Sequence, residues 1–295
     1  MVMYSLDQLQ MFVTAARLGS FSASARQLGK VQSAVSQGIS NLEIDLNVAL
    51  FDRSTRKPTL TREGKHLLSF AEAILQQNKE LGSAARALSE QEESEICIAV
   101  DDHLLVDAFF SLMTAFSQRF PSTSVTTITA ASVDIPDLIR HGRATLGLMI
   151  SDLTIPRDVD IRYIGNLRCI PVAAPDHPLA RLDTVTPSDL IPHRQILIKG
   201  GKGIATVHQQ PLSARFWYAD DHRTVRGFIA RGLGWTYLPE HSADDMIQAG
   251  QAVALAVTFD QKAWTVPVEC LQGKGHPPGP ALKWLNQALN TLLPG

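Results

Sequence analysis

The sequence predicts a chain of mixed class, α+β followed by α/β, in three parts: a small helical head closed by a β-hairpin, one long linker helix, and a larger α/β body. Three observations carry this reading. Apolar residues recur at helical spacing in the segments before residue 46, and two extended runs about a basic turn follow them. A heptad alternation then runs from Leu67 to Leu88. Beyond residue 95, strand-like and helix-like segments alternate to the end of the chain. A length of 295 residues suits two domains of ordinary size, and 45% hydrophobic with 19% charged residues is ordinary globular composition.

In the head, Leu6, Leu9, Val13 and Ala16 are spaced as one face of a first helix, with Ser5 as its N-cap and Gly19 ending it. Ser22 to Leu28 suits a short second helix, and Gly29-Lys30 a turn in which glycine takes a positive φ at no steric cost. A third helix follows from about Gln32 to Leu46, its apolar face formed by Val35, Ile39, Leu42 and Leu46. Its other face carries Gln32, Ser33, Ser36, Gln37 and Ser40, with no charge before Glu43. Uncharged donors and acceptors suit the major groove, where base edges offer both and carboxylates are repelled by phosphate. Helix, tight turn, helix with a polar outer face is the helix-turn-helix arrangement; a small solvated helical bundle is the competing reading. Next, Leu50 to Thr61 reads as a β-hairpin wing. Arg53, Arg56 and Lys57 are placed there to meet sugar-phosphate or an adjacent minor groove, and Pro58 confines its run to an edge. Residues 1–65 carry eight basic and five acidic side chains, a net of +3, which leaves −5 for the rest of a chain whose net charge is −2. A basic head on an acidic body is expected if only the head touches phosphate.

The ordered set Gly19-Ser20-Phe21-Ser22, Ala25, Leu28, Gln32-Ser33-Ala34-Val35-Ser36, Ile39, Leu42-Glu43, Leu50-Phe51, Arg53, Leu60-Thr61 and Gly64 resembles the DNA-binding domain of the LysR-type transcriptional regulators. The resemblance implies a winged helix-turn-helix that contacts double-stranded DNA through the third helix and the wing. The expected DNA contacts are Ser22, Gln32, Ser33, Ser36, Gln37, Ser40, Arg53, Arg56, Lys57 and Arg62. Gly38 departs from a good recognition helix, since glycine costs about 1 kcal/mol against alanine there. It marks either a close backbone approach or a softer helix.

The linker seam is Leu67, Ala71, Ile74, Asn78, Leu81, Ala85 and Leu88, spaced alternately by four and three in one helix of about 25 residues. This is a coiled-coil dimerisation pattern, with Asn78 at a position that sets register and oligomer state. Packing of the stripe on the protein's own body is the alternative. The polar run 89–94 reads as a hinge. The resemblance implies paired linker helices and, through paired bodies, a homotetramer.

In the body, strands are expected at 96–100, 125–130, 145–150, 169–174, 195–198, 233–238, 253–257 and 266–271, and helices at 104–120, 135–141, 224–231, 240–248 and 280–292. Two such series imply parallel sheets in two subdomains joined by crossovers near 164–167 and 265–268, with the last helix returning to the first subdomain. The segments Ala174-Pro175-Asp176-His177-Pro178-Leu179, Gly232-Leu233-Gly234-Trp235 and Leu238-Pro239 resemble the effector domain of the same family. That likeness implies a two-subdomain body like the periplasmic binding proteins, with a small-molecule effector between the subdomains. The organisation is then a head at 1–61, linker helix and hinge at 62–93, and effector-binding domain at 94–295, with subdomain I at about 95–165 and 268–295 and subdomain II at about 166–267.

Ligands of open α/β sheets lie beyond the carboxyl ends of strands. That rule nominates Asp101, Asp102, His103, Ser132, Gly201, Lys202, Gly203 and Asp220 as effector-binding residues. The aspartates suit a cation or the N–H edge of a heterocycle, or simply cap a helix. The glycine loop with Lys202 suits a carboxylate, or is a surface turn. Cys97, Cys169 and Cys270 show no metal or disulfide spacing and read as buried, inert thiols. No catalytic or metal site, cofactor or enzyme motif is expected. No apolar run reaches the roughly 18 residues of a membrane span, and the first residues lack a basic segment followed by an apolar one, so a cytoplasmic protein is expected. RNA polymerase is an expected partner beside DNA. A solute-binding protein or a metabolite-binding enzyme built on the α/β body is the alternative function.

Overall fold

The computed structural model describes residues 4–54, 58–151, 158–201, 203, 205, 210–260, 262, 264–274 and 277–293. The chain divides into two compact units, 1–86 and 87–295. In the first unit, α1 (Leu6–Leu18) starts at a capping box in which Ser5 and Gln8 satisfy each other's backbone N–H, and it ends at Gly19 with φ of 59°. The chain continues through α2 (Phe21–Gln27), α3 (Gln32–Leu46), the short strands β1 (Phe51–Asp52) and β2 (Thr59–Leu60), and α4 (Arg62–Ser89). Strands β1 and β2 pair antiparallel, Phe51 opposite Leu60. Phe12, Val13, Val35, Ile39, Leu42, Leu50, Phe51 and Ala71 form the core of this unit. Phe12 and Phe21 both meet the Phe51 ring edge-on. The Glu43 carboxylate accepts from the Leu50 and Phe51 amides at 2.8 and 3.0 Å, which ties the hairpin to α3.

The linker helix differs from its expected role at its start. Leu67 and Ala71 pack into the core of the first unit, Ala71 being only 3% exposed, so the first two seam positions serve the head itself. The later positions Ile74, Asn78, Leu81, Ala85 and Leu88 are exposed, Leu81 by 70% and Leu88 by 74%.

The second unit holds β3 (Glu95–Val100), α5 (Asp107–Arg119), β4 (Ser124–Thr129), α6 (Ile135–Arg140), β5 (Leu146–Ile150), β6 (Val159–Ala173), α7 (Pro187–Leu190), β7 (Gln195–Ile198), β8 (Phe216–Ala219), α8 (His222–Ile229), β9 (Trp235–Pro239), α9 (Glu240–Gln248), β10 (Val253–Ala254), β11 (Trp264–Gly273) and α10 (Pro280–Ala288). Among the described residues the strand order is β4-β3-β5-β11-β6-β9-β7-β8, with β10 beside β6. Strand β3 runs parallel to β4 and β5, and β7 parallel to β8 and β9. The sheet is nevertheless mixed. Strands β6 and β11 run antiparallel to each other and to β9 and β5, because each carries the chain across from one half to the other. Both are longer than the sequence predicts, β6 starting at Val159 rather than Cys169. Their outer ends alternate polar and apolar residues weakly, and that hid them.

Each half has its own core. Ile96, Ile98, Phe109, Phe116, Leu146, Leu148, Leu282 and Leu285 cluster in one, so α10 returns to the first half. Val172, Ile196, Val225, Ile229, Leu238 and Met246 cluster in the other. The expected single helix over 104–120 is a 3-10 turn at Asp102–Leu104 followed by α5. The expected hinge is anchored instead: Glu93 caps α10 by accepting from the Ala281 and Leu282 amides at 3.0 and 3.3 Å. Thr123 donates its hydroxyl to the Glu93 carbonyl at 2.7 Å. The Glu93 cap joins positions 188 and 189 apart in the chain and leaves no local trace in the sequence.

Gly64 sits where a Cβ would lie 2.1 Å from the Leu50 carbonyl oxygen, a backbone atom that cannot swing aside. Gly64→Ala is therefore expected to destabilise the first unit by about 1–3 kcal/mol, the range for overpacking a filled site. Denaturant unfolding followed by circular dichroism checks this, and an unchanged midpoint would refute it.

Candidate functional site

The polar face of α3 is built from the helix's own spacing. Val35, Ile39 and Leu42 are fully buried, so the positions between them turn outward. Gln32, Ser33 and Gln37 are exposed; Ser36 and Ser40 are half-buried; Ser22 on α2 and Arg62 at the start of α4 are exposed. Two of these side chains are already engaged. Gln37 donates to the Asn41 amide oxygen at 2.8 Å. Arg53 donates to the Ser40 hydroxyl at 3.0 Å and pairs with Glu43 at 2.8 Å. Glu43 thus holds both the wing amides and the Arg53 charge. Arg56 and Lys57 lie outside the described residues. Gly38 marks a close approach: a Cβ there would stand 2.4 Å from the Met11 sulfur of α1.

A second site lies between the two halves of the body, a cleft with about 550 Å³ of space free of atoms, including its open mouth. The first half supplies Asp101, His103, Ser132 and Ile150, and α8 of the second half supplies His222. Cys169 of β6, Tyr237 of β9, and Trp264 and Val266 of β11 form further walls. Asp101 follows β3, is 2% exposed, and accepts from the His103 amide at 3.1 Å. Its other oxygen accepts from the Ser132 amide, also at 3.1 Å, and from the Ser132 hydroxyl, which in turn accepts from the Ile150 amide at 2.9 Å. His222 reaches over from α8. Its Nε2 lies 3.4 Å from Asp101, and its ring stands 3.3 Å from the His103 ring, centroid to centroid, at 41°. Burial alone raises the Asp101 carboxyl, but the neighbouring His222 and His103 and the Ser132 hydroxyl outweigh it and hold the group below the ordinary carboxylate range. Burial pushes the His103 imidazole well below its usual value, and His222 beside it adds to that.

Three of the nominated effector residues, Asp101, His103 and Ser132, therefore meet in the cleft. Asp102, Gly201, Gly203 and Asp220 do not line it. Asp102 is half-buried in the 3-10 turn, and Asp220 is exposed just before the α8 cap Asp221. Gly203 is exposed with φ of 77°, and Lys202 lies outside the described residues. Gly201 does bind a carboxylate, but the protein's own: its amide donates to Asp134 at 2.7 Å. Gly200 permits that approach of the two halves, since a Cβ there would sit 2.5 Å from Val133 and 2.6 Å from Asp134. Sequence reasoning missed His222, Cys169, Tyr237 and Trp264. His222 was legible as the first helical residue after two aspartates, whereas the three strand residues depend on the unrecognised length of β6 and β11. Burial raises the Cys169 thiol to about 12 and the Cys270 thiol to about 11, and Cys97 is half-buried. Among the described residues no His, Cys, Asp and Glu group could hold a metal, and no helix is long and apolar enough to cross a membrane.

Residues 6–65 match the family described as bacterial regulatory helix-turn-helix protein, lysR family, and residues 89–293 match the LysR substrate binding domain. The chain is 33% identical over 254 residues to the HTH-type transcriptional regulator AceR of Acinetobacter baumannii, covering 86% of this chain and 85% of that one. Full-length OxyR from Pseudomonas aeruginosa superposes with a TM-score of 0.54 at 19% identity, over 97% of this chain and all of that one. Full-length CbnR in complex with its target DNA gives 0.52 at 18% identity, over 98% of this chain and all of that one.

In the folded chain His103 stays neutral, while the unfolded chain binds a proton below about 6.5, so stability is lost as pH falls through that value. His177 and His241, also lowered by burial, act in the same direction. The melting temperature of the full chain is expected to drop between about pH 7.5 and 5.5, and to drop less steeply in His103→Gln. An equal slope in that variant would remove His103 from the account.

Proposed function

Since the chain belongs to the LysR family and is thus a DNA-binding transcription regulator with a C-terminal effector-binding domain, we propose that α3 reads base edges through Gln32, Ser33 and Ser36 and that the body cleft takes a small-molecule effector which tunes this binding. The observation that carries the reading is the uncharged, outward face of α3 above a fully buried apolar stripe. Arg62 and the wing supply phosphate contacts, with Arg53 divided between phosphate and Glu43. The exposed seam Ile74, Leu81 and Leu88 supports pairing through the linker helices, and paired bodies would complete a tetramer. The protein acts without enzymatic activity, in the cytoplasm, with RNA polymerase as its further partner. An effector shifts DNA binding only by binding the open and closed cleft with different affinity.

The test is a gel-shift titration against the DNA upstream of the chain's own gene, at two salt concentrations with random-DNA competitor. Gln32→Ala and Ser33→Ala are each expected to cost about 1–3 kcal/mol in discrimination between that site and random DNA. Equal losses on both DNAs would refute base reading. Arg62→Ala is expected to weaken both and to flatten the salt slope by about one unit, Arg53→Ala by less.

A further inference from the structure

Among its described lining residues the cleft presents a single formal charge, and it is negative. Asp101 is the charged side chain among the described lining residues, and no lysine or arginine is among them. Arg226 of α8 acts on His103 and His241 through space but does not line the cavity. A buried carboxylate is costly unless it is paired. Three of the donors around Asp101 are fixed by local backbone and belong to its own half: the His103 amide, the Ser132 amide and the Ser132 hydroxyl. The fourth neighbour, His222, arrives from the other half and meets Asp101 only across a long ion pair of 3.4 Å. It is about nine-tenths buried and aimed into the cavity, yet neither of its ring nitrogens makes a hydrogen bond. It stands 3.4 Å from Asp101 while stacked on His103.

His222 therefore occupies the place of a better donor. We propose that the effector is a small organic cation, whose protonated amine takes the position of His222 beside Asp101, and that His222 is a latch holding the cleft closed without it. The inference rests on reading the cleft as the effector site. The remaining walls suit such a ligand. Tyr237 and Trp264 meet edge to face with centroids 5.4 Å apart, and aromatic faces attract cations. The Tyr237 hydroxyl is tied to Asp260 and so does not compete for Asp101. Ile150, Val266 and Cys169 line an apolar stretch for the ligand's stem. A carboxylate ligand would instead face Asp101 without a countercharge among the described lining residues. The ammonium gains two things that His222 lacks: donors that can all be pointed, and freedom from the His103 stack.

The test uses the full chain, with thermal unfolding and tryptophan fluorescence titrated at millimolar concentrations. The probes are n-butylamine and benzylamine, set against butyrate and benzoate. The amines are expected to raise the melting temperature and shift the emission, and the carboxylates to do neither. Asp101→Asn is expected to weaken amine binding by about tenfold or more, the loss of a charge-assisted hydrogen bond. Should that variant fail to fold, His222→Ala carries the test: removing the competitor is expected to tighten amine binding severalfold, which a merely structural histidine would not do. Three outcomes overturn the proposal: carboxylates binding where amines do not, amines binding Asp101→Asn as tightly as the unaltered chain, or no response to any probe. Gel shifts on the same samples keep the two readings apart, because selective DNA binding without an amine response sinks the cation and leaves the regulator.

Discussion

The antiparallel ladder between β6 and β11 is the constraint on which the body depends. It pairs Cys169 with Trp264 at one end and Val159 with Gly273 at the other, with a register shift between Val268 and Glu269. Each half has its own core: β6 contributes to both, through Ile164 and Leu167 to one and Val172 to the other, while β11 contributes Val266, Val268 and Cys270 to the first. They also set the depth of the cleft, because Cys169, Trp264 and Val266 lie on them. A ladder of backbone hydrogen bonds resists sliding but tolerates twist.

Most of the first unit was legible because its information is local. The 3.6-residue spacing of Val35, Ile39 and Leu42, the Ser5 cap and the Gly19 stop each act within one or two turns of helix. The family likeness rested on the same short segments. The unread part is long-range. Ala71 looks like a seam residue until α4 is seen against the first core, and Glu93 looks like a hinge until α10 is capped by it. Half of the cleft was legible for the same reason: Asp101, His103 and Ser132 follow strands, a rule that can be applied without the fold. His222 could be read as the first residue of a helix, but only packing brings that helix from the other half to Asp101.

Glu43 shows how one side chain serves two sites at once. It accepts from the wing amides and holds Arg53, so the position of the hairpin and the availability of a cation beside α3 are coupled. Gly38 adds a steric coupling. The sulfur of Met11 fills the space where any other residue would place its Cβ, so an alanine there would require the Met11 side chain to move.

The exposed stripe on α4 has a consequence for dosage. Leu81 and Leu88 leave most of their apolar surface in water on a single chain, and the hydrophobic effect favours covering it with a second copy. If α4 pairs as proposed, a mass-action balance between lone and paired chains follows. While pairs are scarce, their number rises as the square of the chain concentration. A promoter that needs both halves of a pair would then respond to a modest change in expression as to a threshold, before any effector enters the cleft.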